Sequence, residues 1–258
     1  MTGAAGGIGT SLRKLLPPIY PDLLLSDLNM PADLGRDEKF KAADLADLAQ
    51  VEAICEGVDG ILHFGGHSVE GTWDQIHQSN IIGCYNLFEA ARKKGVKRVV
   101  FASSNHAVGF YPRHHRIGTD VTPRPDSRYG VSKVFGEAVG ALYADKHGLG
   151  VTCLRIGNFG EMPLDHRRLS IWLKPEDLVQ LYSAASGWTI PISILKFSTA
   201  PPTTSVAGGI TTAPMTSATA RPAAAKIIAS MRWPSRPSYR LIPLAISTRA
   251  ARSAAWSS

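Results

Sequence analysis

Short apolar runs alternate with amphipathic segments along the first two thirds of the chain. The runs predicted as strands are DLLLSD at Asp22–Asp27, GILHFGG at Gly60–Gly66, KRVVFASS at Lys97–Ser104 and GVTCLRIGN at Gly150–Asn158. The segments with helical spacing are Gly9–Leu16, Leu45–Glu56, Trp73–Lys94 and Arg128–His147. Uninterrupted apolar strands between amphipathic helices are typical of a parallel sheet that helices cover on both faces. The sequence therefore predicts an α/β fold, a doubly wound parallel sheet that binds its ligand at the carboxyl ends of the strands.

The segment TGAAGGIG contains Gly3, Gly6 and Gly9 in a G-x-x-G-x-x-G spacing. Glycines let the backbone turn tightly and approach a pyrophosphate, which is then held at the N-terminus of the following helix. Asp27 closes the next predicted strand, where a carboxylate binds the adenosine ribose hydroxyls and repels a 2′-phosphate. Asp44, in the ADL segment, is a second acid expected near the adenine, although a surface acid is an equal interpretation of it. The pattern predicts a dinucleotide site that prefers NAD to NADP.

A strand should precede such a Gly-rich turn, yet Met1 stands only two residues before Gly3. We therefore expect the first strand of the sheet, which would lie at its centre, to be absent from this chain. An upstream start passed over in favour of an internal GTG codon would explain the short N-terminus.

The segment YGVSK places Tyr129 and Lys133 four residues apart, on one face of a predicted helix. An ammonium beside a phenol favours the phenolate, so we expect a lowered Tyr129 pKa and a general base near neutral pH. A Y-x-x-x-K pair also arises by chance in helices. Here it follows a Gly-rich turn, an acid-tipped strand and a strand ending in SSNH, and this combination predicts a catalytic site.

Charge divides the chain into two unlike parts. Residues 1–177 hold all 21 acidic residues and have a net charge of −1, whereas residues 178–258 hold eight Lys and Arg and no acid. These eight charges are scattered among Ala, Ser, Thr and Pro rather than clustered, which disfavours a nucleic-acid-binding arm. We predict no nucleic-acid partner.

The three cysteines, Cys55, Cys84 and Cys153, lie far apart in the sequence. They have neither metal-ligand spacing nor a paired framework, so we expect reduced core thiols and no metal site. The chain shows no stretch of about 18 apolar residues and no charged-then-apolar leader. We predict no membrane span and expect a cytoplasmic protein; the sequence is compatible with a homo-oligomer but does not define one.

Several segments together resemble the extended short-chain dehydrogenase/reductase superfamily, which includes the NAD-dependent epimerases and dehydratases. They are TGAAGGIG, DGILHFGGHSVEGTW, NIIGCYNLFEAAR, FASSNHAVGFYPR, RPDSRYGVSKVFGE, LRIGNF and RRLSIWLKPEDLVQL. The SSNH, GGHSVE and RRLSIWL segments are similar to the uronate dehydrogenases in particular. The resemblance is nearly continuous from Thr2 to Leu181 and implies a Rossmann-type NAD-binding domain over residues 1–181 that carries the catalytic residues.

The resemblance implies NAD-dependent oxidation of a cyclic uronic acid, D-galacturonate or D-glucuronate, at C1 to the aldarolactone. Tyr129 would accept the hydroxyl proton, Lys133 would also reach the nicotinamide ribose, and Ser104 would hydrogen-bond the reacting oxygen, with Ser103 as the neighbouring alternative. Asn80 would brace the backbone near the cofactor. The implied contacts to the small-molecule sugar acid are Ser68, Ser104, Asn105, His106 and Arg167, the last suited to a carboxylate by its two parallel donors.

Two other functions are compatible with parts of this pattern. A nucleotide-sugar epimerase or dehydratase would share the fold, NAD and the Tyr/Lys pair, but needs a sizeable C-terminal region to hold its nucleotide. An inactive NAD-binding remnant is the second alternative, which the intact Ser104, Tyr129 and Lys133 disfavour.

Residues 182–258 do not continue the resemblance. Read from the third base of Ile194 with permitted codons, this segment can encode VLYGASDN and WWDN, which the family would show here. We therefore interpret residues 182–258 as an atypical tail derived from a frameshift; a genuine low-complexity, disordered tail is the alternative. The tail's apolar residues have a period of neither 2 nor 3.6, so we expect little regular packing.

Overall fold

The parallel strands and helices predicted from the sequence are present in a computed structural model, which describes residues 1–186 and 193–196, with side chains through Tyr182. The helices are α1 (Gly7–Leu15), α2 (Leu48–Cys55), α3 (Trp73–Ile76), α4 (Gly83–Lys93), α5 (Arg128–His147), α6 (His166–Leu169) and α7 (Pro175–Ser186), with a π-helix at His77–Ile82 and a 3₁₀-helix at Asn105–Val108. The strands are β1 (Leu24–Leu25), β2 (Lys39–Phe40), β3 (Gly60–His63), β4 (Arg98–Ser104), β5 (Gly150–Ile156), β6 (Asn158–Phe159), β7 (Trp172–Leu173) and β8 (Ser193–Lys196).

The central sheet has the strand order β3-β4-β5-β8 and is parallel throughout. Its longest pairing joins β4 to β5 in register from Arg98 opposite Gly150 to Ser104 opposite Ile156. Two smaller parallel pairs, β1 with β2 and β6 with β7, lie outside this sheet. Since the strands of the central sheet run in one direction, their carboxyl ends meet at one edge.

Helices cover both faces of the sheet, which explains why its strands read as unbroken apolar runs. Along β4, Val99 and Phe101 belong to one buried cluster, whereas Val100 and Ala102 belong to the other. The first cluster includes buried residues of α2, α4 and α5, and the second includes buried residues of α1 and α7. The predicted doubly wound α/β fold is thereby confirmed.

Residues Met1 and Thr2 occupy the position between β1 and β3, where we expected the first strand to be absent. Thr2 accepts a bond from the backbone of Phe64 and donates one to Leu62, and Ser26 donates to the carbonyl of Met1 at 2.8 Å. Thr2 thus bridges to Ser26 on one side and to His63 on the other, both in parallel orientation. These two residues are enough to join β1 to the central sheet immediately before the Gly-rich turn.

The terminal ammonium of Met1 is buried at this junction and donates to the carbonyl oxygen of Leu24 at 2.6 Å. Burial lowers the pKa of this amine to about 5, because the charged form loses its hydration.

The short strands β2, β6, β7 and β8 were not predicted. The first three have two residues each, too few to show a period, and they form only through their parallel partners. The strand β8 pairs with β5 and falls within the segment predicted to be an atypical tail. The rest of that segment beyond α7 lies outside the described residues, as does the second of the chain's two compact units, Ser217–Ser258.

Within the described part of the chain, no helix is long and apolar enough to cross a membrane. The same residues contain no group of three or more His, Cys, Asp or Glu side chains placed to hold a metal ion.

Candidate active site

A cavity of about 1090 Å³ opens at the carboxyl ends of the strands. It extends from the Gly-rich turn at one end to the start of α5 at the other. Of the residues predicted for the site, those that line it are Gly3, Gly6, Gly9, Asp27, Asp44, Ser68, Ser104, Asn105, His106, Tyr129 and Lys133. The structure therefore brings together residues that are separated by up to 130 positions in sequence, while Asn80 and Arg167 stay outside the lining.

The Gly-rich turn needs glycine at two of its three predicted positions. Gly3 has a φ of +74°, and a Cβ there would lie 2.6 Å from the carbonyl carbon of Phe64. A Cβ on Gly9 would clash with the carbonyl oxygen of Gly3. Gly6 is less constrained, since a Cβ would lie 3.4 Å from the same oxygen. The resulting close approach exposes the N-terminus of α1 to the cavity, an arrangement that binds phosphate oxygens.

Asp27 follows β1 and braces the Gly-rich turn. Its two carboxylate oxygens accept from the backbone N–H groups of Ala5, at 2.9 Å, and Leu28, at 2.7 Å. Asp44 is exposed and accepts from the backbone of Ala46 at 2.9 Å. A glycine cradle at a helix N-terminus beside a strand-ending carboxylate fits the pyrophosphate and ribose of a dinucleotide.

The helix α5 carries Tyr129 and Lys133 on the face that lines the cavity. The side chain of Ser127 caps this helix by accepting from the backbone of Gly130 at 2.9 Å. Lys133 is buried, donates to the carbonyl oxygen of Ala102 at 2.8 Å, and places its Nζ 5.3 Å from the centroid of the Tyr129 ring. Burial lowers the pKa of Lys133 to about 8.

The pKa of Tyr129 is raised, whereas the YGVSK spacing predicted a lowered value. Burial of the phenol is the larger effect, and a hydrogen bond with the Ser104 side chain acts in the opposite direction. The expectation was wrong because it considered the neighbouring ammonium and ignored the cost of burying a phenolate. Ser104 and Tyr129 nevertheless line the same cavity, with the Ser104 hydroxyl placed to favour the phenolate.

The SSNH segment ends β4 and begins the 3₁₀-helix. Ser104 accepts from the backbone of His106 at 3.2 Å and donates to Asn105 at 3.3 Å. The His106 ring meets the Tyr129 ring edge-on, with their centroids 5.6 Å apart. By contrast, Ser103 donates to the buried carboxylate of Glu137 at 2.6 Å, so the geometry favours Ser104 over its neighbour.

Asn80 is buried in the π-helix and braces the backbone of the loop that follows β3. Its Oδ1 accepts from the N–H of His67 at 2.7 Å, and its Nδ2 donates to the His67 carbonyl at 2.9 Å. The same Nδ2 lies 2.9 Å from the Ser132 hydroxyl on α5. Asn80 therefore connects the loop to α5 without lining the cavity.

The predicted substrate contacts Ser68 and Arg167 are both exposed. Ser68 lines the cavity from the loop after β3, whereas Arg167 lies on the short helix α6. The neighbour Arg168 is held by Asp165, which also caps α6 at 2.7 Å.

Sequence reasoning missed two acids that support the site. Asp126 holds the Nδ1 of His106 at 2.8 Å, and Glu70 contacts the first turn of α5. Both acids lie in segments that carry the resemblance, GGHSVE and RPDSRYGVSKVFGE, but only the folded chain brings each to its partner.

Comparison with known proteins identifies the family. The model of the NAD dependent epimerase/dehydratase family matches residues 1–172, two thirds of the chain. The chain belongs to this family. It is 47% identical over 182 residues to a uronate dehydrogenase of Pseudomonas putida, and 48% identical over 184 residues to one of Agrobacterium fabrum. These alignments cover 70% and 71% of this chain and 68% and 69% of the relatives.

Solved structures of uronate dehydrogenases are similar to this chain as well. A mutant of the uronate dehydrogenase from Agrobacterium tumefaciens, crystallised in complex with NAD, matches with a TM-score of 0.72 at 45% identity over 75% of this chain and 74% of its own. A glucuronic acid dehydrogenase from Chromohalobacter salexigens matches with a TM-score of 0.74 at 42% identity, covering 76% and 74%. The predicted resemblance to uronate dehydrogenase is confirmed, and the protein is an NAD-dependent dehydrogenase.

Proposed function

We propose that this dehydrogenase oxidises a uronic acid, D-galacturonate or D-glucuronate, at C1 to the aldarolactone. The observation that carries the proposal is the cavity that joins a dinucleotide cradle to the Ser104, Tyr129 and Lys133 side chains. The identity to uronate dehydrogenases of 47–48% supports the substrate class.

The cofactor would be held at one end of the cavity by chain groups that suit its charges. The N-terminus of α1 and the turn from Gly3 to Gly9 would bind the pyrophosphate, and Asp27 the adenosine ribose. Bound there, NAD supplies the acceptor for the hydride that leaves C1 of the sugar.

The residues at the other end of the cavity would bind the C1 hydroxyl group and accept its proton. Ser104 holds the C1 hydroxyl oxygen, and the Tyr129 phenolate accepts the hydroxyl proton as the C1 carbonyl forms. Lys133 lies over the Tyr129 ring, and below about pH 8, where it is protonated, its charge would favour the phenolate. Because burial raises the pKa of Tyr129, we expect the reaction to accelerate as the pH rises.

The remaining predicted contacts would select the sugar. Ser68, Asn105 and His106 line the cavity and offer hydroxyl, amide and imidazole groups to the ring hydroxyls. Asp126 fixes the orientation of His106, since its carboxylate holds the Nδ1 atom. Arg167, on the exposed helix α6, is proposed to bind the uronate carboxylate through two parallel hydrogen bonds.

The test is NADH formation by the full chain with galacturonate, with glucuronate and with neutral galactose. We expect NADH from the uronates and much less from galactose. The variant Tyr129→Phe keeps the ring but removes the hydroxyl, so kcat should fall about 10²–10⁴-fold. Tyr85→Phe, at an exposed position on α4, is the matched control and should keep the parent rate.

Two outcomes would contradict the proposal. A Tyr129→Phe enzyme within a few-fold of the parent would place the base elsewhere. Conversion of a nucleotide sugar to its epimer without NADH accumulation would favour the epimerase alternative, to which solved structures at 23% identity relate the fold alone.

A further inference from the structure

The segment of residues 66–71, between β3 and α3, forms one wall of the cavity. We call it the Ser68 segment. Ser68 and Val69 both line the cavity, and both are exposed. An exposed connection of this kind holds a substrate contact in place only if its two ends are anchored.

The first anchor is the buried side chain of Asn80. It binds both the N–H and the carbonyl of His67, which fixes the beginning of the Ser68 segment. The Nδ2 of Asn80 also donates to the Ser132 hydroxyl, which in turn donates to the carbonyl oxygen of Tyr129 at 2.7 Å. This end of the segment is therefore linked to the carbonyl of the proposed catalytic residue.

The second anchor is Glu70. One carboxylate oxygen accepts from the backbone N–H of Tyr129 at 3.1 Å, and the other pairs with Arg128 at 3.0 Å. Arg128 also donates to the carbonyl oxygen of Gly71 at 3.2 Å. This end of the segment is linked to the N–H of the same Tyr129.

The contact between Glu70 and the helix has a physical basis in the unpaired donors of a helix start. An N–H in the first turn of a helix has no acceptor within the helix, and a carboxylate there also meets the positive end of the helix dipole. Ser127 satisfies the N–H of Gly130, and Glu70 satisfies that of Tyr129. A charge-assisted bond of this type is stronger than one between neutral groups.

We propose that Glu70 is a positioning residue that clamps the Ser68 segment to the first turn of α5. The two peptide groups of Tyr129 are held from the two ends of the segment, so the Ser68 hydroxyl and the Tyr129 phenol keep a constant separation across the sugar. This role rests on the proposed function, because it matters for catalysis only if Ser68 and Tyr129 act on one substrate.

The kinetic test compares Glu70→Ala, Glu70→Gln and Glu56→Ala in the full chain. Glu56 is an exposed acid at the end of α2 that pairs with Lys94, so its removal is the matched control. We expect Glu70→Ala to raise the uronate KM about tenfold and to lower kcat, since small displacements of reacting groups are costly. Glu70→Gln keeps an acceptor for the Tyr129 N–H, so its kcat and uronate KM should lie close to those of the parent. The NAD affinity and the Tm of both Glu70 variants should stay near those of Glu56→Ala.

The second measurement is amide hydrogen exchange in the chain without substrate. We expect the Tyr129 N–H and the Ser68 segment to exchange faster in Glu70→Ala and to recover in Glu70→Gln. Unchanged exchange rates in Glu70→Ala would overturn the clamp. So would a Glu70→Gln variant whose kcat, uronate KM and Tm are all as impaired as those of Glu70→Ala. If the parent oxidised no uronate, the proposed function would fail, and the exchange rates would still decide whether the clamp exists.

Discussion

Replacing Lys133 by Met should make the protein more stable and less active. Lys133 is 7% exposed and carries its charge between the sheet and α5, with the Ala102 carbonyl as its hydrogen-bond acceptor. The charged form is disfavoured in the fold, since its pKa drops from an ordinary 10.5 to about 8. Methionine has a similar length and no charge to desolvate.

The size of the effect follows from the two pKa values. Below pH 8 the amine is protonated in both the folded and the unfolded chain, and burying the charge costs about 3 kcal/mol. The variant also loses the hydrogen bond to Ala102, which costs it about 1 kcal/mol of stability. Its free energy of unfolding should therefore exceed that of the parent by about 2 kcal/mol. Between pH 8 and 10.5 the folded amine is neutral and the unfolded one is charged, so the parent recovers stability and the gain disappears.

The assay is urea unfolding of the parent and of Lys133→Met, at pH 7 and near pH 10, without cofactor. Lys146→Met, an exposed position on the same helix, should differ little from the parent at either pH. We also expect Lys133→Met to lose turnover and NAD affinity, because the lost ammonium would serve both. A variant less stable than the parent at pH 7, or a difference that does not change with pH, would refute the reasoning.

Two further predictions concern the cofactor and the core. Asp27→Ala should weaken NAD binding by about 1.5–3 kcal/mol and reduce the discrimination against NADP, as titration of both dinucleotides would measure; unchanged NAD affinity in a folded variant would remove Asp27 from the site. Glu137→Ala should destabilise the fold by about 3–5 kcal/mol in urea unfolding, because the buried Arg155, bound to Glu137 at 2.6 and 2.7 Å, would lose its counter-charge. A decrease in the free energy of unfolding of less than about 1 kcal/mol would contradict that account. So would a decrease that stays the same when Arg155 is also replaced by an uncharged residue.

The sequence alone determined the features that depend on local pattern. The predicted helix Arg128–His147 has the same bounds in the structure, because its Ser127 cap and the left-handed Gly148 at its end are both local signals. The Gly-rich turn was equally readable, since Gly3 and Gly9 stand where the backbone leaves no room for a Cβ. The resemblance then supplied the family, because it depends on motifs that are contiguous in sequence.

Only the tertiary structure decided which side chains meet across the sheet. Ser103 and Ser104 are adjacent, alike in sequence and both at the cavity, but the strand alternates its side chains, so the Ser103 hydroxyl is bound to Glu137 while Ser104 lies on the side of Tyr129. The raised pKa of Tyr129 likewise depends on the burial of its side chain, which the spacing of residues in the sequence does not reveal. The contact between Glu70 and Tyr129 joins residues 59 positions apart, and it forms only once the parallel strands bring their carboxyl ends to one edge.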